Sequence, residues 1–160
     1  GRVDGVEFEA VPLSSKAPPY SPHREDPHPG DNIGLSMTDT KSGLRAFYAP
    51  GLGEIEPHLD QYFLASDLIL VDGTFWTEDE MSRAGVGSKP ASAMGHLHLS
   101  GDDGLLAKLA RYHRARKVLI HINNTNPMLV NDSDERRAVE AAGFEVAFDG
   151  MDLHLGEETT

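Results

Sequence analysis

The sequence predicts an α/β layered domain, and three observations carry that reading. Residues 32–38 alternate apolar and polar side chains with period two, and residues 44–48 follow after a turn near Lys41-Ser42-Gly43, which is the pattern of a β-hairpin. Beyond the hairpin, segments with three- and four-residue apolar spacing alternate with short aliphatic runs, so helix and strand take turns to the end of the chain. With 160 residues, 39% hydrophobic and 25% charged, the chain is the size and composition of one globular core.

Taken in order, residues 6–11 read as a strand, Val6-Glu7-Phe8-Glu9-Ala10-Val11. Residues 12–30 form a proline-rich loop containing Pro18, Pro19, Pro22, Pro27 and Pro29, because proline lacks the amide donor that regular structure needs. After the hairpin, Ile55, Leu59, Tyr62 and Phe63 take helical spacing with Pro57 in a first turn, and Leu68-Ile69-Leu70-Val71 is a buried strand. Asp102 or Asp103 is positioned to cap a helix carrying Leu105, Leu106, Leu109 and Tyr112, and residues 117–122 form the next strand. Asp132 or Ser133 caps a third helix over residues 135–142. Gly143 stops that helix, residues 144–148 alternate as a strand, and residues 151–155 offer an edge strand. The whole chain, 1–160, is thus expected to be a single domain.

Charge and composition narrow the function. Fourteen basic against 26 acidic residues give a net charge of −12, which repels phosphate backbones and anionic lipid, so neither nucleic acid nor membrane is an expected partner. The absence of cysteine excludes disulfides, thiolate catalysis and Cys-ligated zinc while leaving the compartment open. The longest apolar run, around Leu68 to Val71, falls far short of the ~20 residues that cross a bilayer, and a soluble cytoplasmic protein is expected. The chain opens on Gly1 rather than Met and runs directly into a strand, which points to an internal start and a fragment.

Two strands run into a residue able to bind metal: Leu68-Ile69-Leu70-Val71 into Asp72, and Val118-Leu119-Ile120 into His121. A third candidate lies between them in Met94-Gly95-His96-Leu97-His98-Leu99-Ser100-Gly101, where glycines at both ends permit tight turns. Imidazole and carboxylate together suit iron, zinc or manganese. Each residue also has a plainer reading: the His-x-His pair as surface hydrogen bonding, and Asp72 before Gly73-Thr74 as a turn former. His121 stands apart, because an imidazole in an aliphatic run costs desolvation unless a backbone partner or a metal binds it. Asn123, Asn124 and Asn126, in Asn123-Asn124-Thr125-Asn126-Pro127, suit either a polar substrate pocket or a self-capped turn. His23, His28, His58, His113 and His154 lie in polar contexts that suit solvated side chains. No nucleotide-binding glycine loop and no serine-hydrolase elbow is present.

Several strings carry a resemblance. Ala17-Pro18-Pro19-Tyr20-Ser21, Tyr48-Ala49-Pro50-Gly51-Leu52-Gly53, Val71-Asp72-Gly73-Thr74-Phe75-Trp76, Met94-Gly95-His96 and Ile120-His121-Ile122-Asn123-Asn124-Thr125-Asn126-Pro127 stand in the order found in the coenzyme PQQ synthesis protein B family, which the chain resembles nearly end to end. That resemblance implies half of a metallo-β-lactamase-like αββα sandwich, a mixed sheet covered by helices, with this chain as the C-terminal half of a fold similar to the ribonuclease Z branch. It implies His121 as a metal ligand matching the last histidine of the superfamily. Asp72 matches the acidic residue before Thr-Phe, and His96 matches a Gly-His position near the metal, so both are expected to be catalytic; Asn123, Asn124 and Asn126 are expected to bind substrate. His98 stands where the family is not expected to place histidine and takes no role.

Two departures qualify the match. The His-x-His-x-Asp-His ligand string and the cysteines of a structural zinc site belong to the family's N-terminal half and are missing here. Ser14-Ser15-Lys16 and Ala49-Pro50-Gly51 stand where the superfamily's middle His and bridging Asp are expected, which argues against a two-zinc hydrolase. The resemblance therefore implies one divalent metal, iron(II) first and zinc second, completed by the missing half or by another copy of the chain. The implied role is in the synthesis of pyrroloquinoline quinone, by iron- and O₂-dependent hydroxylation of a peptide-derived Glu-Tyr precursor, the fragment alone being inactive. The alternatives are a non-catalytic carrier of the quinone or its precursor and, last, a metal-dependent hydrolase.

Overall fold

In the computed structural model, which describes residues 1–17 and 20–156, seven strands form one mixed sheet in sequential order. β1 (Arg2–Val3), β2 (Val6–Pro12), β3 (Ile33–Asp39) and β4 (Arg45–Ala49) run antiparallel; β5 (Leu68–Asp72), β6 (Arg116–Ile120) and β7 (Phe144–Val146) continue from β4 in parallel. The α/β class and the mixed sheet are as the sequence predicts.

The hairpin of β3 and β4 turns where Gly43 takes a φ of 74°, and the Asp39 carboxylate accepts the backbone N–H groups of Lys41 and Ser42. A 3₁₀ turn (Pro57–Leu59) with proline at its start leads into α1 (Asp60–Ala65). Between β5 and β6 lie α2 (Glu80–Arg83), α3 (Ala91–Met94) and α4 (Leu105–Leu109). After β6 comes a second 3₁₀ turn (Pro127–Leu129) and then α5 (Asp134–Ala141). Ser133 caps α5, its hydroxyl accepting the Arg136 N–H at 2.9 Å, and Gly143 at φ 78° ends that segment.

Four expectations are corrected. Gly104 rather than Asp102 or Asp103 precedes α4, with no side-chain cap, because the chain enters that helix in extended backbone directly from a turn. Tyr112 lies beyond the end of α4, its ring packed on Phe63 at 5.1 Å. β7 stops at Val146 and residues 151–155 add no strand; Met151 and Leu153 instead lie over the sheet as partly buried cover. β6 ends at Ile120, one residue before His121. The described residues of the proline-rich loop hold no helix or strand beyond Pro12, which closes β2; Pro18 and Pro19 lie outside the described residues.

One sheet face carries the main core. Phe47, Ile69, Val71, Leu119 and Val146 point to the same side, where they meet Leu59, Phe63, Leu105, Leu109 and Val139 from the helices. Phe47 stacks on Tyr62 at 5.4 Å and meets Phe63 edge-on at 5.3 Å, an aromatic cluster that fixes α1 against β4. Among the described residues the opposite face buries the hydrophobic side chains of Ala46, Leu68 and Val118, with Met37, Leu70 and Ile120 partly covered. The parallel register of β5 and β6 leaves the carboxyl ends of these two strands side by side, the usual place for a site in such sheets. Among the described residues no helix is long and apolar enough to cross a membrane.

Candidate metal centre

Adjacent parallel strands deliver the first two residues. Asp72 closes β5 opposite Ile120 of β6, and His121 is the next residue on that chain. Gly73 makes the turn possible: its N–H donates to the Ile120 carbonyl at 2.7 Å, and a Cβ there would lie 3.0 Å from that same oxygen. His121 takes a φ of 53°, in the left-handed region that a side chain enters at a cost, which marks a backbone held for its position rather than for its comfort.

The third residue arrives from a different direction. α3 ends at Gly95 with φ 94°, and a Cβ on Gly95 would sit 2.6 Å from the Ser15 hydroxyl, so only glycine permits the loop carrying Ser15 to close on this turn. The chain then turns back and places His96 beside β5.

Asp72 is wholly buried and accepts from four donors. Its Oδ2 receives the Leu52 N–H at 2.9 Å and His96 Nδ1 at 2.6 Å; its Oδ1 receives the Thr74 N–H at 3.0 Å and the Thr74 hydroxyl at 2.5 Å. The Thr74 hydroxyl has two oxygen acceptors for its proton, Asp72 Oδ1 and the His121 carbonyl at 2.9 Å, so its own oxygen is left to accept from His121 Nδ1 at 2.9 Å. Both rings thus turn Nδ1 inward, which assigns each the tautomer that leaves Nε2 bare. The ring centroids are 5.2 Å apart, and one ligand atom from each of Asp72, His96 and His121 lies within 4.8 Å of the others.

Electrostatics follow from this geometry. Burial raises the Asp72 pKa, but the neighbouring imidazoles of His121 and His96, with the Thr74 hydroxyl, outweigh it and hold the carboxyl below its ordinary value. The same carboxylate, with a smaller push from the Pro50 carbonyl, raises the pKa of His121 against the opposing effect of burial. The donor set suits a divalent cation: two imidazoles backed by a buried carboxylate, with His121 about half exposed. Asp72, already saturated with donors, orients the rings rather than offering itself.

The structure therefore brings Asp72, His96 and His121 together, and separates the asparagines from them. Asn126 is buried; its amide donates to the Gly73 and Thr74 carbonyls at 3.0 and 3.4 Å and its oxygen accepts the Met128 N–H, so it braces two loops and has no group to spare for substrate. Asn123 donates to Thr125 at 2.6 Å, and Asn124 is exposed; neither lines the cavity that His96 and His121 share. His98 sits between Glu78 and Asp103 at 3.5 and 3.4 Å. Two residues escaped the sequence reading. Thr74, the hub between Asp72 and His121, had as its only signal a hydroxyl two places after an aspartate. Glu80, buried, accepts from the Trp76 N–H and the Thr125 hydroxyl, both at 2.5 Å, and so ties the loop after Asp72 to the loop after His121. Nothing in the local sequence signals that pairing.

Comparison with known proteins places this geometry. Residues 2–122 match the family model of the β-lactamase superfamily domain. Coenzyme PQQ synthesis protein B of Azoarcus sp. (strain BH72) is 60% identical over 154 residues, covering 96% of this chain and 51% of that protein. The protein of the same name from Methylococcus capsulatus is 55% identical over 153 residues, covering 96% and 50%. The chain spans about half the length of these curated relatives. Among solved structures, zinc-bound PqqB from Methylobacterium extorquens superposes with a TM-score of 0.82 at 38% identity, over 94% of this chain and 52% of that one. Human tRNase Z, short form, is similar in fold, with a TM-score of 0.52 at 16% identity over 98% of this chain and 46% of that one.

Proposed function

The chain belongs to the β-lactamase superfamily domain family, and from that premise we propose that it is the part of a coenzyme PQQ synthesis protein that contributes His121 to a divalent metal centre. The reaction proposed for the complete protein is O₂-dependent hydroxylation of a peptide-derived Glu-Tyr precursor, with iron(II) as the working ion; one oxygen atom enters the precursor and the other leaves as water, with two electrons from an external reductant. The observation that carries this reading is the inward turn of both Nδ1 atoms onto Asp72 and Thr74, which leaves both Nε2 atoms without these partners in rings that line one cavity. That a relative is solved with zinc supports a divalent cation for the complete protein.

The cation, when bound, supplies open coordination positions and one-electron chemistry. This chain's own residues do the rest. His121 would hold the cation, its Nδ1 side kept in place by Thr74 and, at 3.7 Å, by Asp72. His96, its Nδ1 proton fixed on Asp72, presents Nε2 to the substrate phenol and accepts or returns its proton; Asp72 stabilises the imidazolium that forms. The apolar sheet face around Leu70 and Ile120 is left for the half of the relatives that this chain does not span, or for a second copy.

The test is iron loading without oxygen, then exposure to O₂ with a two-electron reductant such as ascorbate, in the longest form of the protein that contains this chain. Precursor gaining oxygen in mass supports the reading. His121→Ala then loses both iron and product, whereas His96→Ala keeps iron and loses product. Unchanged precursor, with tight quinone binding that survives chelation, overturns hydroxylation in favour of carriage.

A further inference from the structure

A cavity of about 520 Å³, within the range of small-molecule sites, opens beside the metal centre, and its lining joins Lys16, Arg24, Asp31 and Asn32 to His96 and His121. Two cations converge there although the chain carries 26 acidic residues against 14 basic ones. We propose that Lys16 and Arg24 form a carboxylate-recognition wall that selects a polycarboxylate anion and orients it toward His96 and His121.

The wall is built, not a chance approach of surface side chains. Ser15 donates its hydroxyl to the Gly95 carbonyl at 2.5 Å, and the Ser14 N–H donates to Glu56 at 3.0 Å, so the segment carrying Lys16 is locked to the turn that carries His96. Arg24 donates one guanidinium nitrogen to the Ala17 carbonyl at 2.7 Å and has no carboxylate within ion-pair distance among the described residues. Its remaining N–H groups suit the bidentate geometry that carboxylates accept. Lys16 pairs at 2.6 Å with Glu25, whose side chain is 79% exposed, a partner that a ligand carboxylate replaces without stranding a buried charge. Asp31, the acidic member of the lining, accepts the His28 N–H at 2.7 Å and turns its charge to its own loop. Tyr48 adds an aromatic side chain to the same lining, suited to a planar ligand.

The inference rests on the metal-centre reading for its orientation and is tested apart from it. Isothermal titration compares pyrroloquinoline quinone with its trimethyl ester, in the longest form of the protein that contains this chain. The acid binds at least about tenfold tighter than the ester, and Lys16→Met and Arg24→Gln each remove about tenfold of that preference. Lys16→Arg, which keeps the charge, retains most of it, whereas Arg24→Lys, which keeps the charge but loses the bidentate fork, retains only part of it. Ester binding as tight as acid, Met and Gln variants equal to wild type, or no binding of either ligand overturns the wall. Zinc titration of the same proteins separates the two readings. Zinc binding lost by His121→Ala but kept by Lys16→Met upholds the metal centre whatever the acid-to-ester ratio; an intact acid preference without zinc binding leaves the wall standing and sinks the centre.

Discussion

The Oδ2 atom of Asp72 holds the Nδ1 of His96 at 2.6 Å from a site with no solvent access. That contact fixes which nitrogen of His96 faces outward, and the companion contact through Thr74 does the same for His121.

Replacing Asp72 with Asn tests that role. Whichever way the amide is turned, its NH₂ meets existing donors, Leu52 N–H on one side or Thr74 N–H and O–H on the other. The expected cost is about 1–3 kcal/mol of stability, measured by urea unfolding. Zinc affinity falls about 10–100-fold by titration, as for other partners that orient a ligand.

His121 sits at φ 53°, so its backbone carries the strain of placing the ring beside Thr74 and Asp72. Glycine there relieves it. His121→Gly is expected to be more stable than His121→Ala by about 1–2 kcal/mol in thermal unfolding, and neither variant retains zinc.

The asparagine loop divides by burial. Asn126→Ala removes three hydrogen bonds from a side chain that is 2% exposed and costs about 2–3 kcal/mol. Asn124→Ala, on an exposed side chain, changes stability by less than about 0.5 kcal/mol. Urea midpoints of the two variants measure the difference directly.

How far the sequence spoke depended on the range of the interaction. The hairpin, the helix–strand alternation and the placing of Asp72 and His121 at strand ends were legible because each depends on local periodicity and turn chemistry. The stretch holding His96 was legible as a third candidate, but the choice of His96 over His98 came from family resemblance, since its placing rests on Gly95 packing against Ser15, 80 residues away. Thr74, Glu80 and the pair Lys16 and Arg24 were not found at all: a threonine becomes a hub, and a glutamate a loop tie, only once three chain segments meet. Asn126 misled because an amide suited to a substrate is equally suited to backbone carbonyls, and the nearer partners won.

Lys117 gives the pH dependence its sign. Burial lowers its pKa below the usual lysine value of 10.5, although its ammonium donates to the Tyr112 and Ala115 carbonyls. Between the folded value and 10.5 the unfolded chain holds the proton that the folded chain has lost, so stability rises with pH in that window. The difference in unfolding free energy, wild type minus Lys117→Met, is expected to grow as pH increases toward that limit; a flat difference counts against it.

The most direct measurement is long-range ¹H–¹⁵N NMR of the imidazole rings, taken above the titration range of the histidines and repeated with zinc. The account predicts that His96 and His121 are Nδ1–H tautomers without metal, and that zinc moves the Nε2 resonance of His121. An Nε2–H tautomer at His121, with its Nε2 signal unmoved by zinc, contradicts it.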